Sequence, residues 1–494
     1  MNEENNNVYI DLKKQPLKSE REEIRRKRIG IIIRVVLCLL LFVGGIGIGY
    51  LIPRIPSTNT HRFQSVLEQV EYILQSRYLY SDKSEDFAVE LEDKALTGMT
   101  TFPDDPFTSY MSQKELEAFY TGINQSFVGV GIQYTKVNDT GLITKVFFDS
   151  PAERAGLQEG DLFTHIDGIS VADKTTDEIK DLAIGEEGTE VKMTVLRDGQ
   201  EIEITVIRGT VDYTVTCDRY DDYLYMTVES FGESTAREMS NYFDRNEDVK
   251  KIILDLRGNG GGFQSAASQV CGLFIGDNQV YLQQQDNAGN RFASTTKTDK
   301  TYKFDKIVLL VNKTTASAAE VFTICLRERC ENVTIVGTPT YGKGVIQNTL
   351  MLNNGGSLKF TDYYWYSPDG VSIHKTGIIP DIVVENDEVW TIPYVDMDDE
   401  TTFAKEDVSD AVELCEKCLR FIEYPVDHTN GYFDETLEET VNDIRRQCGM
   451  EENGLINKEV YEIILSNTIY VISNDPSKDY QLNKARELMH EDNN

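Results

Sequence analysis

Apolar residues follow several different periods along this chain, and each period predicts a different kind of element. From Val35 to Ile52, VVLCLLLFVGGIGIGYLI carries no charged residue, and about 18 such residues are enough to cross a bilayer core. Between residues 62 and 120 the apolar positions recur three and four apart, as in FQSVLEQVEYILQSRYLY, which predicts helices interrupted by a turn at DDPFTSY (Asp104–Tyr110). A β-rich stretch follows. FVGVGIQYT (Phe127–Thr135) opens a strand, and DSPAERAGLQEGDLFTHIDGISV predicts a short helix, a turn at Gly160–Asp161 and a strand ending in the Asp167–Gly168 turn. A helix near Thr176–Ala183 and paired strands around RDGQ complete it. From Thr210 to about Glu385, the strand-length runs KIILDL, KIVLLV, NVTIVG and TDYYWYS alternate with helical stretches, an α/β pattern. The tail from Asp407 returns to helical spacing, three short helices separated by glycine turns.

The junction between one strand and the next helix carries the first candidate chemistry. In VNKTTASAAEVFTICL (Val311–Leu326), Ser317 sits among alanines just where the β-branched run ends. A serine hydroxyl is a poor nucleophile until a base takes its proton and donors stabilise the oxyanion. The histidines are His61, His165, His374, His428 and His490; His165 lies in the β-rich unit, His428 and His490 lie in the tail, and no G-x-S-x-G elbow is present. A different base is available in TYGKGVIQ, where Lys343 stands between two glycines after a strand. Burial on such a turn would lower a lysine's pKa toward a base's working range, and Gln347 could orient the amine. A solvated loop is the alternative reading of the same turn. IILDLRGNGGGF (Ile252–Phe263) ends a strand in glycines but lacks the P-loop lysine. Such glycines can aim an N–H at a developing oxyanion, with the N–H of Ala318 as second donor.

Charge and cysteine content narrow the setting. Arg21, Arg25, Arg26, Lys27, Arg28 and Arg34 precede the apolar run, against Arg54 and Arg62 after it, so the positive-inside rule places the N-terminus in the cytoplasm. A signal peptide is the competing reading; the length of the run and the absence of an A-x-A-like site before PRIPSTNT favour an anchor. The formal net charge of −34 excludes nucleic acid and anionic lipid as partners of the outward-facing part, because like charges repel. Eight cysteines at irregular spacing define no disulfide framework. Cys415 and Cys418 form a C-x-x-C that with His428 and Cys448 could hold zinc, but helix-face cysteines more often belong to a core, so no metal or other cofactor is expected.

Three resemblances draw these fragments together. GVGI (Gly129, Val130, Gly131, Ile132) followed by SPAERAGLQEGD and IDG resembles a PDZ domain, with GVGI in the place of the loop that binds a peptide's terminal carboxylate. Glycines there let backbone N–H groups converge on the carboxylate while the next strand edge accepts an extended peptide. DLRGNGGG, TASAAE and GKGVIQ, in that order, resemble the C-terminal processing (tail-specific) serine peptidases, and DDPFTSYM and YYWYSPDGVSIHKTGIIPDIVV are similar to further segments of that family. The likeness spans about residues 62–385. It implies Ser317 as nucleophile, Lys343 as general base, Gln347 as its support, and Gly261 and Ala318 as oxyanion donors. Thr314, Thr315 and Ala319 stand where the family has a glycine and two serines, and Gly258 and Gly260 where it has an asparagine and a proline; losing the proline would loosen the glycine loop. NGYFDETLEETVNDIRRQCGMEENGLINKEVYEII (Asn430–Ile464) resembles a peptidoglycan-binding-like helical domain, with an accessory bundle that binds nothing as the other reading.

The expected architecture is therefore an α/β multidomain chain. It comprises a cytoplasmic basic segment (1–34), a transmembrane helix (35–52) and an N-terminal helical part of the peptidase (62–125). A PDZ domain (126–209), a catalytic core (210–390) and a peptidoglycan-binding-like domain (405–470) follow. The expected function is a membrane-anchored serine endopeptidase that cleaves protein tails outside the cytoplasmic membrane, fed or gated by the PDZ domain. A catalytically weak tail-binding scaffold at the envelope is the alternative. The partners implied are protein C-terminal tails, the membrane, peptidoglycan, and a second copy of the chain, as in other family members.

Overall fold

The computed structural model describes residues 65–81, 84, 86–391 and 397–491. The predicted basic segment and transmembrane helix lie outside them; among the described residues no helix is long and apolar enough to cross a membrane. The chain divides into two compact units, Met1–Glu92 and Asp93–Asn494. In the first, helix α1 (Val66–Arg77) starts at Ser65, whose side chain accepts from the Glu68 N–H, and buries none of its residues. Helix α2 (Phe87–Met99) follows.

The second unit begins with strand β1 (Ser109–Met111) and helix α3 (Gln113–Asn124), which is closed at its start by a reciprocal Ser112–Glu115 capping box. Strand β2 (Ser126–Gly129) leads into the β-rich unit. This contains β3 (Ile132–Val137), β4 (Thr140–Val146), α4 (Pro151–Ala155), β5 (Leu162–Ile166), β6 (Ile169–Ser170), α5 (Thr176–Ala183), β7 (Glu190–Arg197) and β8 (Gln200–Ile207). The sheet order is β3-β4-β5-β7-β8, with β6 on β5, so β3 is an edge strand. Alternation decides which side faces inward: Val191, Met193 and Val195 of β7 are fully buried, while Glu190 and Lys192 between them are exposed. Strand β9 (Gly209–Asp212) then pairs antiparallel with β2, so the chain enters and leaves this unit through one two-stranded neck.

The α/β core follows in chain order: β10 (Val215–Arg219), β11 (Leu224–Val228), α6 (Thr235–Arg245), β12 (Lys251–Asp255), α7 (Gln264–Ile275), β13 (Val280–Gln285), β14 (Arg291–Thr295), β15 (Lys306–Val311), α8 (Ala318–Arg329), β16 (Val333–Gly337), β17 (Val345–Met351), β18 (Ser357–Tyr366) and β19 (Ile382–Val383). Strands β10-β11-β12-β15-β16-β19 make one sheet, parallel except for the β10–β11 pair. A second, antiparallel sheet of order β1-β18-β13-β14, with β17 on β18, lies in the same unit. Period two explains the core. Leu224, Met226, Ile252, Leu254, Ile307, Leu309 and Ile335 point to the side where Met239 and Phe243 of α6, Val270 and Phe274 of α7, and Phe322 and Leu326 of α8 pack. Ile253, Val308, Leu310 and Val336 point to the other side.

That other side is covered from far away in sequence. After β20 (Thr402–Phe403), α9 (Asp410–Phe421), α10 (Glu435–Gln447), β21 (Ile456–Asn457) and α11 (Lys458–Asn474), helix α12 (Tyr480–His490) returns and lays Leu482, Ala485 and Met489 on those strand residues. A mostly parallel sheet has two apolar faces, and both must be covered. Helices α9, α10 and α11 form their own cluster around Leu419, Phe433, Val441 and Tyr461, which also takes in Val389. Cys415 and Cys418 are buried in that cluster and Cys448 is exposed; no metal-binding group of side chains exists among the described residues. Phe322 is fully buried in the core, with its ring against those of Phe231 and Phe274. Phe322→Ala is expected to lower the stability read from urea unfolding by about 3–5 kcal/mol, with cleavage activity lost in proportion to the unfolded fraction.

Candidate active site

Three loops leave the carboxyl ends of three adjacent parallel strands, β12, β15 and β16, the edge at which open α/β sheets place their ligands. The first is the glycine loop after Asp255, the second carries Ser317, and the third carries Lys343. Ser317 has φ +57° and ψ −119°, a conformation that side-chain-bearing residues rarely adopt and that lifts the hydroxyl off the start of α8. The glycine loop approaches so closely that a Cβ on Gly261 (φ +107°) would lie 2.8 Å from Ser317 Cβ and 3.0 Å from the Ala318 nitrogen. Only glycine fits there.

Ser317, Ala318, Gly261, Lys343 and Gln347 line one cavity of about 690 Å³. The structure thus brings together all five residues singled out from the sequence for this site. Lys343 is half-buried, and its Nζ lies 4.6 Å from the centre of the Phe107 ring. Burial, and after it the like charge of Lys359, push the Lys343 ammonium down to about 8, against the opposing pull of Glu320 and Asp105. Gln347 sits beside a bulge in the β17–β18 pairing, and its Nε2 donates to Thr361 Oγ1 at 3.2 Å. Thr361 Oγ1 in turn donates to Asp105 Oδ1 at 3.1 Å. The Gly261 N–H donates to the side chain of its neighbour, Asn259 Oδ1, at 2.8 Å.

The loops are tied by a residue that the sequence reading did not single out. Glu320, fully buried in the first turn of α8, accepts the backbone N–H of Ser317 at 3.0 Å and of Lys343 at 2.9 Å on Oε2. On Oε1 it accepts the Gly342 N–H and the Thr340 hydroxyl, both at 2.6 Å. Burial pushes this carboxyl up, and the four hydrogen bonds pull it down only in part. Its signal was the glutamate of TASAAE, three residues after the serine, a capping-box position. Phe107 and Asp105 were legible only as a turn: Asp105 accepts from the Phe107 N–H and the Thr108 hydroxyl, which folds DDPFT under Lys343. Lys359, from the start of β18, had no signal at all.

In the β-rich unit, Gly129, Val130, Gly131 and Ile132 form the link from the β2 neck to edge strand β3. Gly131 has φ +86°, and a Cβ there would meet Ser150 Cβ at 2.4 Å. The Val130 and Gly131 carbonyls accept from the Ala152 and Phe147 N–H groups at 2.7 and 3.0 Å, which turns this link back on itself. Helix α5 lies across from β3, and the Tyr134 hydroxyl donates to the Thr176 carbonyl at 2.7 Å. The contact of this unit and its neck with α6 combines ion pairs with aromatic packing: Arg245 pairs with Glu153 at 2.8 Å, Arg237 pairs with Asp149 at 3.3 Å and also with Asp212 of β9, and Phe148 packs on Tyr242 at 4.3 Å.

An α/β core with a strained serine over a cleft, preceded by an inserted β-rich unit with a glycine link beside an edge strand, defines a serine peptidase carrying a PDZ domain. The model of peptidase family S41 matches residues 222–384, and that of the PDZ domain matches 143–197. A protein of Staphylococcus haemolyticus named "Probable CtpA-like serine protease" is 30% identical over 405 residues, covering 80% of this chain and 81% of its own. One of the same name from Staphylococcus saprophyticus is 29% identical over 453 residues, covering 90% and 91%. Among solved structures, the photosystem II D1 C-terminal processing protease is 25% identical with a TM-score of 0.36, over 65% of this chain and 87% of that one. The chain belongs to peptidase family S41 and is a CtpA-like serine peptidase.

Replacing the Glu320 carboxylate is expected to loosen both loops at once. Glu320→Gln turns an amide NH₂ toward N–H donors, so the urea midpoint should fall by the equivalent of about 2 kcal/mol. Cleavage per folded molecule should fall with it. An unchanged midpoint would show that the carboxylate does not hold these loops.

Proposed function

We propose that this chain cleaves protein C-terminal tails by Ser-Lys catalysis. Ser317 Oγ attacks the scissile carbonyl carbon while its proton passes to neutral Lys343 Nζ; the same proton then goes to the departing amine, and water releases the acyl group from Ser317. Gln347, its donor end held by Thr361, offers its carbonyl end to orient the amine. The N–H groups of Gly261 and Ala318 receive the oxyanion, for which the Gly261 N–H exchanges Asn259 Oδ1 for the substrate. The observation that carries this reading is Lys343, pushed down to about 8 on the wall of the cavity that Ser317 opens into.

The PDZ domain takes the substrate's terminal carboxylate at Gly129, Val130, Gly131 and Ile132, and the preceding residues extend along β3 as an added strand. Its exposed ion pairs to α6 are individually weak, which suits a unit that shifts when a tail binds and so feeds or gates the cleft. A weakly catalytic tail-binding scaffold is the second reading, favoured by the occupied Gly261 N–H. Anchoring by Val35–Ile52, with the N-terminus cytoplasmic and the peptidase outside the cell membrane, rests on the uncharged run and the arginines before it. The α9–α11 bundle is the part that would touch peptidoglycan.

With a tailed protein substrate, Ser317→Ala and Lys343→Ala should each reduce kcat by at least about 10³-fold; full cleavage by either variant ends the dyad assignment, and binding without any cutting by the unmutated chain selects the scaffold. For the unmutated chain, kcat/KM should rise about tenfold per pH unit until about pH 8 and then level, because the base works as the free amine. Since its folded pKa lies below the ordinary 10.5, the unfolded chain binds the extra proton between the two values, so Lys343 adds stability as pH rises from about 8 toward 10.5. An alkaline carbonate wash should leave the full chain in the membrane pellet; its release would remove the anchor.

A further inference from the structure

The two legs that join the α9–α11 bundle to the peptidase converge on one largely buried arginine at the root of the glycine loop, its side chain 12% exposed. Arg257 lies two residues after Asp255, which ends β12, and directly before Gly258. Its backbone N–H donates to Asp255 Oδ1 at 3.0 Å, and its guanidinium folds back on the same carboxylate at 2.5–3.0 Å. Nη2, shared between the two carboxylates, also donates to Asp479 Oδ2 at 2.9 Å, and Nη1 donates to Asp479 Oδ1 at 2.8 Å and to Gln481 Oε1 at 3.2 Å. Asp255 and Asp479 are both buried. Asp479 begins helix α12 and accepts from the Leu482 N–H, and the entering leg is bonded to it through Asn386 Nδ2 at 3.2 Å.

From Arg257 the connection to the serine is short. The Leu256 carbonyl accepts the Thr315 hydroxyl at 2.8 Å, and the Asn259 carbonyl accepts the Ala316 N–H at 2.9 Å. The same Asn259 holds the Gly261 N–H on its side chain. A guanidinium gripped on both edges by carboxylates has one orientation, and so has the peptide that follows it. We propose that Asp479 is a positioning residue of the peptidase: by clamping Arg257 it sets the glycine loop against Ser317, so that the far end of the chain completes the active site. This rests on the reading of Ser317 as nucleophile. The far end of α12 is secured as well, with Lys251 Nζ donating to the Met489 carbonyl at 2.6 Å and Lys306 Nζ to those of Leu488 and Glu491 at 2.8 and 2.6 Å. Helix α12 is thereby held on the sheet at both of its ends.

The test uses the full chain, a fluorophosphonate that acylates reactive serines, and a tailed protein substrate. Asp479→Ala should slow labelling and lower kcat about 10- to 100-fold while KM changes less than about twofold, and Asp479→Glu should recover most of the loss. Leu482→Ala removes packing from the same helix but keeps the carboxylate; it should lower Tm without slowing labelling of the folded fraction. Labelling of Asp479→Ala at the unmutated rate overturns the proposal, as does an equal slowing by Leu482→Ala. If Asp479→Ala does not fold, Asp479→Asn replaces it: slow labelling beside a fast Asp479→Glu supports the clamp, and unmutated rates for both overturn it. Mapping the adduct keeps the two readings apart. An adduct elsewhere than Ser317 in the unmutated chain removes the nucleophile assignment and the proposal with it, whereas an adduct on Ser317 with an unslowed Asp479→Ala removes only the clamp.

Discussion

One buried carboxylate holds the site in register. Glu320 accepts four hydrogen bonds, and two of them come from the backbone of Ser317 and of Lys343. The side chains of the proposed nucleophile and base are mobile, but their Cα positions are fixed if their own amides share an acceptor. A charged acceptor in a dry place makes strong bonds and would be costly to leave unpaired. The same group therefore specifies the fold of both loops and the separation on which the proposed proton transfer depends.

The lysine beside it owes its properties to neighbours from three separate parts of the chain. Phe107 comes from the DDPFT turn, Lys359 from β18 and Glu320 from α8. Withdrawal from water and a second cation disfavour the ammonium, while Glu320 and Asp105 restrain the shift. In the proposed dyad a lysine tuned in this way takes the place of a histidine; among the described residues His165, His374, His428 and His490 all lie outside the lining of the cleft. The antiparallel sheet and the short turn before β1 thus shape the surroundings of Lys343 as well as the scaffold.

The opposite face of the parallel sheet shows the same economy. Strand residues Ile253, Val308 and Leu310 need apolar cover, and helix α12 supplies it; in doing so it carries Asp479 to Arg257. Packing and positioning are served by one element. The bundle between Val389 and Val471 is spliced into this return path, with both legs bonded to each other at Asn386 and Gln481. Its attachment point therefore lies at the base of the glycine loop.

Much of this was legible in the sequence. Alternation along β7 and the continuous runs of β12, β15 and β16 follow from period two and from burial on both faces. The glycine link, the glycine loop, the serine at the strand–helix junction and the lysine between glycines each carry a local signature, because turns demand particular residues. What the linear order could not state is which of these meet. Gly261, Ser317 and Lys343 share a cavity only because β12, β15 and β16 are neighbours in the sheet. Arg257 and Asp479 stand 222 positions apart, and no period of two or 3.6 reaches that far. Local chemistry determined the elements and nominated the reactive groups; the pairing of strands and the covering of the second sheet face decided their distances, their protonation and the unforeseen roles of Glu320, Lys359 and Asp479.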